Sequence, residues 1–382
     1  MDRAKSWLAR GFLCLFVLIS AFGCSSATRS DRESFDVVVL GGTSGGIAAA
    51  VQAARMGKSV VLIESTEHLG GLTSGGLGAT DIGNKKAIGG IAREFYHRVY
   101  LHYVEEDSWV YEDRRNYRRR EEYGRGRAES WDREGAWWMF EPHVAEAIFE
   151  EIIREAGVSV IYGERLELGG GVQKEGLQIV AIKTESGEVF RGKMFIDATY
   201  EGDLMAKAGV SYAVGRESNT KYGETLNGVQ TQNARYHQFE KPVDPYVKRG
   251  DPSSGLLPRL HGEGPGIEGE GDHRVQAYCF RMCLTDVVEN KVAFAKPEDY
   301  DELRYELLLR YYEAGYDDIP WLPHMMPNRK TDTNNRHGFS TDNIGMNYDY
   351  PDANYAARER IIAEHASYQK GLMWTLANHP RV

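Results

Sequence analysis

The chain has 382 residues, 42% hydrophobic and 27% charged, enough to bury a large core and to make two domains. Its net charge of -10 argues against a nucleic-acid role, since a phosphate backbone would be repelled. At the N-terminus, Arg3, Lys5 and Arg10 precede an apolar stretch, residues 11–22, too short to span a bilayer comfortably and placed as the core of an export signal. Cys24 follows in a loose version of the bacterial lipoprotein signal, with Ala21 where a bulky aliphatic residue is expected and Phe22 where a small one is. In that reading residues 1–24 are the signal segment and a lipid on Cys24 is the protein's one link to a membrane. Ordinary cleavage near the same point, leaving a periplasmic protein, is the other reading.

Phe35 to Leu40 is short, β-branched and apolar, as a strand buried on both faces of a parallel sheet should be. Ile47 to Met56 is Ala-rich, with Ile47, Val51 and Ala54 at helical spacing and Gly57 where a helix would end. Val60 to Ile63 reads as the second buried strand of a βαβ unit. The turn between strand and helix, Gly41, Gly42, Thr43, Ser44, Gly45 and Gly46, puts backbone N–H groups at a helix N-terminus, where a pyrophosphate is received. Gly41 permits the tight turn and Gly46 the close packing of the helix on the sheet. Thr43 stands where the middle glycine of G-x-G-x-x-G is usual; it leaves its N–H exposed and adds a hydroxyl for phosphate. Glu64, with Ser65 beside it, lies about twenty residues on at the end of the second strand, where a carboxylate accepts hydrogen bonds from ribose hydroxyls.

Residues 89–104 have a helical pattern. The Arg-rich segment 114–133 interleaves its arginines with acids and reads as a solvated, ion-paired insertion, spanning about 105–136, with Trp131, Trp137 and Trp138 as packing residues. Pro142 to Ala156 is a further helix, with Pro142 in its first turn, Val144, Ile148 and Ile152 on one face and Gly157 after it. Val158 to Tyr162 returns to the sheet, and 166–182 reads as a β-meander. Phe195 to Ala198 is one more buried strand entering a helix near Leu204.

Two stretches besides the glycine-rich turn carry a family resemblance. Gly70 and Gly71, followed by Thr73, Ser74, Gly75 and Gly76, look like the loop after the second strand in the glutathione-reductase-type FAD fold. Asp197-Ala198-Thr199-Tyr200-Glu201-Gly202-Asp203-Leu204 looks like that fold's returning strand and A-T-G-x-G-D-L turn, with Tyr200 and Glu201 in place of small residues. From about Phe35 to its C-terminus the chain resembles the FAD-dependent oxidoreductases related to fumarate reductase and to the flavoprotein of heterodisulfide reductase. The resemblance implies an α/β protein: a Rossmann-like FAD-binding domain with a β-meander over 34–214, and a smaller α+β substrate-side domain over 215–382. It implies FAD as cofactor, held by the residues of the three motifs including Ala198 and Thr199, and a hydride passed between a small-molecule substrate and flavin. A carbohydrate-derived substrate follows only from the envelope location, and the electron acceptor is unknown. The alternatives are a non-catalytic envelope protein on a relic nucleotide fold and a nicotinamide-dependent dehydrogenase, the latter disfavoured by the Gly70-Gly71 loop.

Beyond the signal, the cysteines are Cys279 and Cys283. Val275 to Leu284 alternates like a strand, which sets their Cα atoms about 13 Å apart, beyond disulfide reach. Too few thiolates remain for an iron–sulfur cluster. Arg281 on this strand either anchors a substrate carboxylate or pairs within the core, with pairing preferred. A helix is expected over 299–314. The polar run from Pro327 to Asp342 is expected to be a loop that contacts substrate, with Asn334, Asn335, Arg336, His337 and Asp342 close together. His337, with Arg336, is the candidate catalytic base, because imidazole takes a proton near neutral pH; the alternative is a plain surface turn. Asp352 to Asn378 reads as one long helix. No later segment matches the glycine-containing one that passes the flavin in the family, so either the chain is the N-terminal part of a longer protein or its flavin site is open.

Overall fold

The computed structural model describes residues 34–123 and 135–382, and side chains outside 119–134. The segment expected to be an export signal, Cys24 and Trp131 fall outside the described residues. Strand β1 (Phe35–Leu40), helix α1 (Ser44–Arg55) and strand β2 (Val60–Ile63) form the βαβ unit, both strands with the bounds the sequence predicts. The helix begins three residues earlier than its apolar spacing suggests, because Thr43 caps it by accepting from Gly46 N–H. Helices α2 (Gly90–Val104), α3 (Arg114–Tyr123) and α4 (Pro142–Ala156) follow. Gly157 at φ 69° ends α4 in the left-handed region, and β3 (Ser159–Ile161) then pairs parallel to β2. Strands β4 (Val172–Glu175) and β5 (Gln178–Lys183) make the meander, and β6 (Val189–Asp197) returns to the middle of the sheet.

The sheet has six strands in the order β3-β2-β1-β6-β5-β4. Along β6, residues 192–197 pair parallel with β1 while residues 189–191 pair antiparallel with β5, so one strand joins the nucleotide-type half to the meander. Alternation along β1 sends Val39 into a core with Ile47, Val51, Phe95, Val99, Ile148 and Ile152 of α1, α2 and α4. Val38 and Leu40 face the other side, among Leu166, Ile182, Phe190 and Leu204. Trp137 and Trp138 are buried, as packing residues should be, and Tyr117 anchors α3 in the same core.

After β6 come short helices α5 (Asp203–Lys207) and α6 (Asn219–Tyr222), then largely irregular chain to strand β7 (Met282–Thr285). Helix α7 (Glu306–Glu313) leads into β8 (Trp321–Met326) and β9 (Lys330–Asn335), a second sheet of three strands ordered β7-β9-β8. Helix α8 (Tyr355–Asn378), capped by Asn354, packs Tyr368 and Leu372 on Tyr305 and Leu308. The fold is therefore mixed α/β, with a parallel-rich sheet and a small antiparallel one.

Two expectations change. The strand expected over 275–284 shrinks to Met282–Thr285, because β9 offers backbone partners only there. The run expected as a polar loop is in its first part the central strand of the second sheet, with Thr331 and Thr333 alternating with Asp332 and Asn334 between β7 and β8.

Candidate functional site

The first lip of the site is the turn after β1. Gly41 holds φ at +102°, and a Cβ on Gly46 would sit 1.9 Å from the Gly41 carbonyl oxygen, so α1 touches the turn with no room for a side chain. The first-turn amides of a helix have no intrahelical acceptor. Thr43 Oγ1 takes that of Gly46, leaving those of Ser44 and exposed Gly45 available to an anion. The Thr43 hydroxyl proton goes to the Ala198 carbonyl at 2.8 Å, which corrects the expectation that this hydroxyl serves phosphate: it ties the turn to β6 instead.

Glu64 is buried at the end of β2. One carboxylate oxygen accepts from Gly42 N–H at 2.7 Å and the other from Thr66 N–H at 2.8 Å, Thr66 Oγ1 at 2.9 Å and Ser65 Oγ at 3.2 Å. The two hydroxyls belong to exposed residues and stand where hydroxyls of a ribose would donate.

The second lip is the 70–74 loop, a short 3-10 turn over Gly71–Thr73. Gly70 N–H donates to Gly42 O at 2.7 Å, which docks this loop on the first turn, and Ser74 Oγ donates to Leu69 O. The third lip is the end of β6, where Asp197 accepts from Thr199 N–H and Oγ1 and from Met205 N–H, folding the chain over the top of β1. Ala198 N–H donates to Leu40 O. The three motifs that lie far apart in sequence thus meet at one end of the parallel strands, the edge where open α/β sheets bind ligands.

A cleft of about 310 Å³ opens there, lined by Gly41, Ser65, Thr66, Arg165, Tyr355 and Arg358 among others. Its outer wall escapes sequence reading because it comes from α8. Arg358 is buried, paired with Asp203 at 2.5 Å and donating to the Pro351 carbonyl, while the Arg165 guanidinium lies 4.2 Å from the Tyr355 ring centre. Tyr200, the residue replacing a small one in the third motif, ties that motif to the second lip by accepting from Leu72 N–H at 2.7 Å. A larger groove of about 980 Å³ between β7, residues 290–299 and α8 is mostly apolar and is lined by none of the motif residues.

Toward the second sheet, the chain after the Gly70-Gly71 loop runs against β7 and β9. Ala79 N–H donates to Asp332 Oδ2 at 3.1 Å, and the other Asp332 oxygen takes Arg281 Nη1 at 2.6 Å. Arg281 thus pairs within the core. Asp332 carries no apolar signal in the sequence; only the period-two alternation of residues 330–335 could have revealed a strand there.

The structure does not bring His337 and Arg336 to the cleft. Arg336 pairs with Asp318 at 2.9 Å; His337 Nδ1 meets Glu240 at 3.0 Å, Nε2 lies 3.6 Å from Asp318, and its ring stacks edge-on against Tyr316. Asn335 donates to Asp342 at 2.5 Å and Asn334 accepts from Cys279. The thiols stay unbridged, and burial pushes the Cys279 thiol up to about 11, far from a reactive thiolate.

The family model described as FAD dependent oxidoreductase matches residues 36–382. Among solved structures, the chain is similar to L-proline dehydrogenase from P. horikoshii, at 18% identity over 49% of this chain and 59% of that one, TM-score 0.30. It is also similar to L-amino acid deaminase from Proteus vulgaris, at 15% identity over 49% of this chain and 52% of that one, TM-score 0.32. The matches span between about half and three fifths of those two chains.

Proposed function

Because the chain belongs to the FAD-dependent oxidoreductase family, we propose that it oxidises a small, polar organic substrate, of carbohydrate-derived type, with the cofactor seated along the ends of β1, β2 and β6. Bound FAD supplies a two-electron acceptor for hydride. The residues present fit that cofactor: the Ser44 and Gly45 amides would take the pyrophosphate, Glu64 the ribose in place of the Ser65 and Thr66 hydroxyls, and the wall of Arg165 and Tyr355 the adenine end. Gly70, Gly71, Thr73, Ser74, Ala198 and Thr199 would border the remainder. The observation that carries the reading is the contact of three separate motifs at one sheet edge, through Gly70 N–H to Gly42 O and Thr43 Oγ1 to Ala198 O.

The basic residues and apolar stretch ahead of Cys24 support export, with lipid attachment at Cys24 or release into the periplasm. The test of the cofactor reading is an absorption spectrum of the purified protein, lacking residues 1–24, after incubation with FAD and removal of excess. Retained visible flavin bands that bleach with dithionite are expected; a folded, colourless protein would overturn it.

A further inference from the structure

The second sheet ends in an unpaired edge. Its order is β7-β9-β8, so Met282–Thr285 has a strand partner on one side only. Leu284 N–H donates to Thr331 Oγ1 at 3.2 Å and the Leu284 carbonyl accepts from the same hydroxyl at 3.4 Å, so Leu284 turns its backbone groups toward β9. Neighbouring residues of a strand point those groups to opposite edges, which sends the N–H and C=O of Cys283 and Thr285 outward. Among the described residues the outward groups take no backbone partner. Such an edge is a template for pairing with another chain unless something covers it.

Beyond that edge lies the groove of about 980 Å³, with Cys283 and Thr285 in one wall, residues 290–299 in another and α8 in the third, where the short side chains of Ala363 and Ala366 leave the space open. Apolar side chains of the 290–299 wall stand in solvent: Val292 is 90% exposed and Phe294 41%. One buried group also borders the groove. Gln369 is 2% exposed, its amide donates to Thr341 O, and its Oε1 has no partner among the described residues. A buried acceptor left unpaired is costly, and a donor entering the groove would satisfy it. Three lysines and two carboxylates line the groove. Lys296 lies over the Tyr300 and Trp374 rings, and Asp299 is already held by Arg304 and Ser367. Lys291 and Lys370 carry no ion pair among the described residues, so only Glu298 offsets them, a local excess of cation on a chain of net charge -10.

We infer that the groove is a docking site for an extended segment of a partner polypeptide, of alternating apolar and acidic residues, which adds to the second sheet as a further strand beside β7. The segment's backbone pairs with the outward groups of Cys283 and Thr285, its apolar side chains cover the α8 wall at Ala363, Ala366 and Met373, and its carboxylates meet Lys291 and Lys370. A peptide also brings the N–H donors that Gln369 Oε1 lacks. A purely apolar ligand fits less well, because it would cover the outward backbone groups of β7 without pairing them. A second copy of this chain fits less well too: an isologous contact sets β7 against β7 with the same lysines on both sides.

The probe is the capped peptide acetyl-Val-Glu-Val-Glu-Val-amide, whose period-two alternation puts valines on one face and glutamates on the other. It is titrated into the purified protein by calorimetry. Saturable binding is expected, about tenfold weaker when lysine replaces both glutamates of the peptide. In the double variant Lys291→Glu with Lys370→Glu that preference should reverse, while the melting temperature stays that of the wild type, since both side chains are exposed. Two N-methylated peptides, one methylated at its valines and the other at its glutamates, report the backbone: one set of amides faces β7, so one peptide should bind about tenfold weaker and the other like the parent. Flavin uptake should not change in any of these, because the groove shares no residue with the cofactor cleft. No saturable binding, equal behaviour of the two methylated peptides, a charge preference unmoved by the double variant, or binding of dodecanoate in place of the peptide overturns the inference. Self-association of the protein that the double variant abolishes would overturn it in favour of a second copy.

Discussion

Glu64 already carries four hydrogen bonds from protein donors, two of them from hydroxyls that a ribose can replace and two from backbone amides that it cannot. Glu64→Gln keeps the shape but turns one acceptor into a donor, facing either Gly42 N–H or Thr66 N–H. The expected cost is about 1–3 kcal/mol in urea unfolding, together with weaker binding of ADP by calorimetry. Unchanged ADP binding would remove Glu64 from the site. Gly46→Ala acts by overpacking instead, since its methyl would meet the Gly41 carbonyl: about 1–3 kcal/mol of strain and loss of FAD uptake are expected. Both residues were legible in the sequence, because the glycine-rich turn and the acid after the second strand are short-range signals. The double use of the Thr43 hydroxyl was not, since its acceptor, Ala198, lies 155 residues away.

Strands and helices bounded by strong local signals came out as their sequence suggests. The wholly buried runs of β1 and β2, and α4 with Pro142 inside its start and Gly157 past its end, needed no tertiary information. Strand β9 did, since six polar residues form a strand only where β7 and β8 supply partners on both edges. Its centre is Asp332, fully buried and paired with the partly buried Arg281. Asp332→Ala would strand that guanidinium and the Ala79 amide, and is expected to destabilise by about 3–5 kcal/mol; a loss below about 1 kcal/mol by the same denaturation measurement would show that Arg281 finds other partners. At the far end of α8, Arg381 and then Arg249 hold the Glu313 carboxyl down at about 2 from its ordinary 4.5. A depressed carboxylate stabilises above its ordinary value and ceases to do so as pH falls toward the folded one. Amide protection factors, referred to the intrinsic exchange rate at each pH, are therefore expected to fall near the C-terminal turns of α7 and α8 between about pH 4.5 and 2; protection factors unchanged down to pH 2 would contradict this tether.

The two sheets are joined by more than the chain between them. Asn328, at φ 60°, accepts from Val110 and Tyr111 N–H and donates to Ser108 O and to Glu141 Oε2, while Lys330 pairs with the other Glu141 oxygen at 2.9 Å and Tyr103 Oη donates to the carboxylate. This knot couples α2 and α4 of the first sheet's core to the second sheet, so the molecule should unfold in one transition. If FAD binds only the folded state, a concentration 100 times its dissociation constant should raise unfolding free energy by about 2.7 kcal/mol. Differential scanning fluorimetry would show one midpoint moving with FAD. Two midpoints, only one of them moving, would show that the halves melt separately.

Strand β6 sets the order in which these parts can become useful. Phe35 finds its strand partner in Gly192, and the Ala79 amide finds its acceptor in Asp332, late in the chain. Until residues near 190 emerge, β1 has an open edge, the feature that invites pairing with the wrong chain. If the proposed export passes the chain through a channel, it threads in the same N-to-C order, and the cofactor's seat gains its wall from α8 only once that helix has followed.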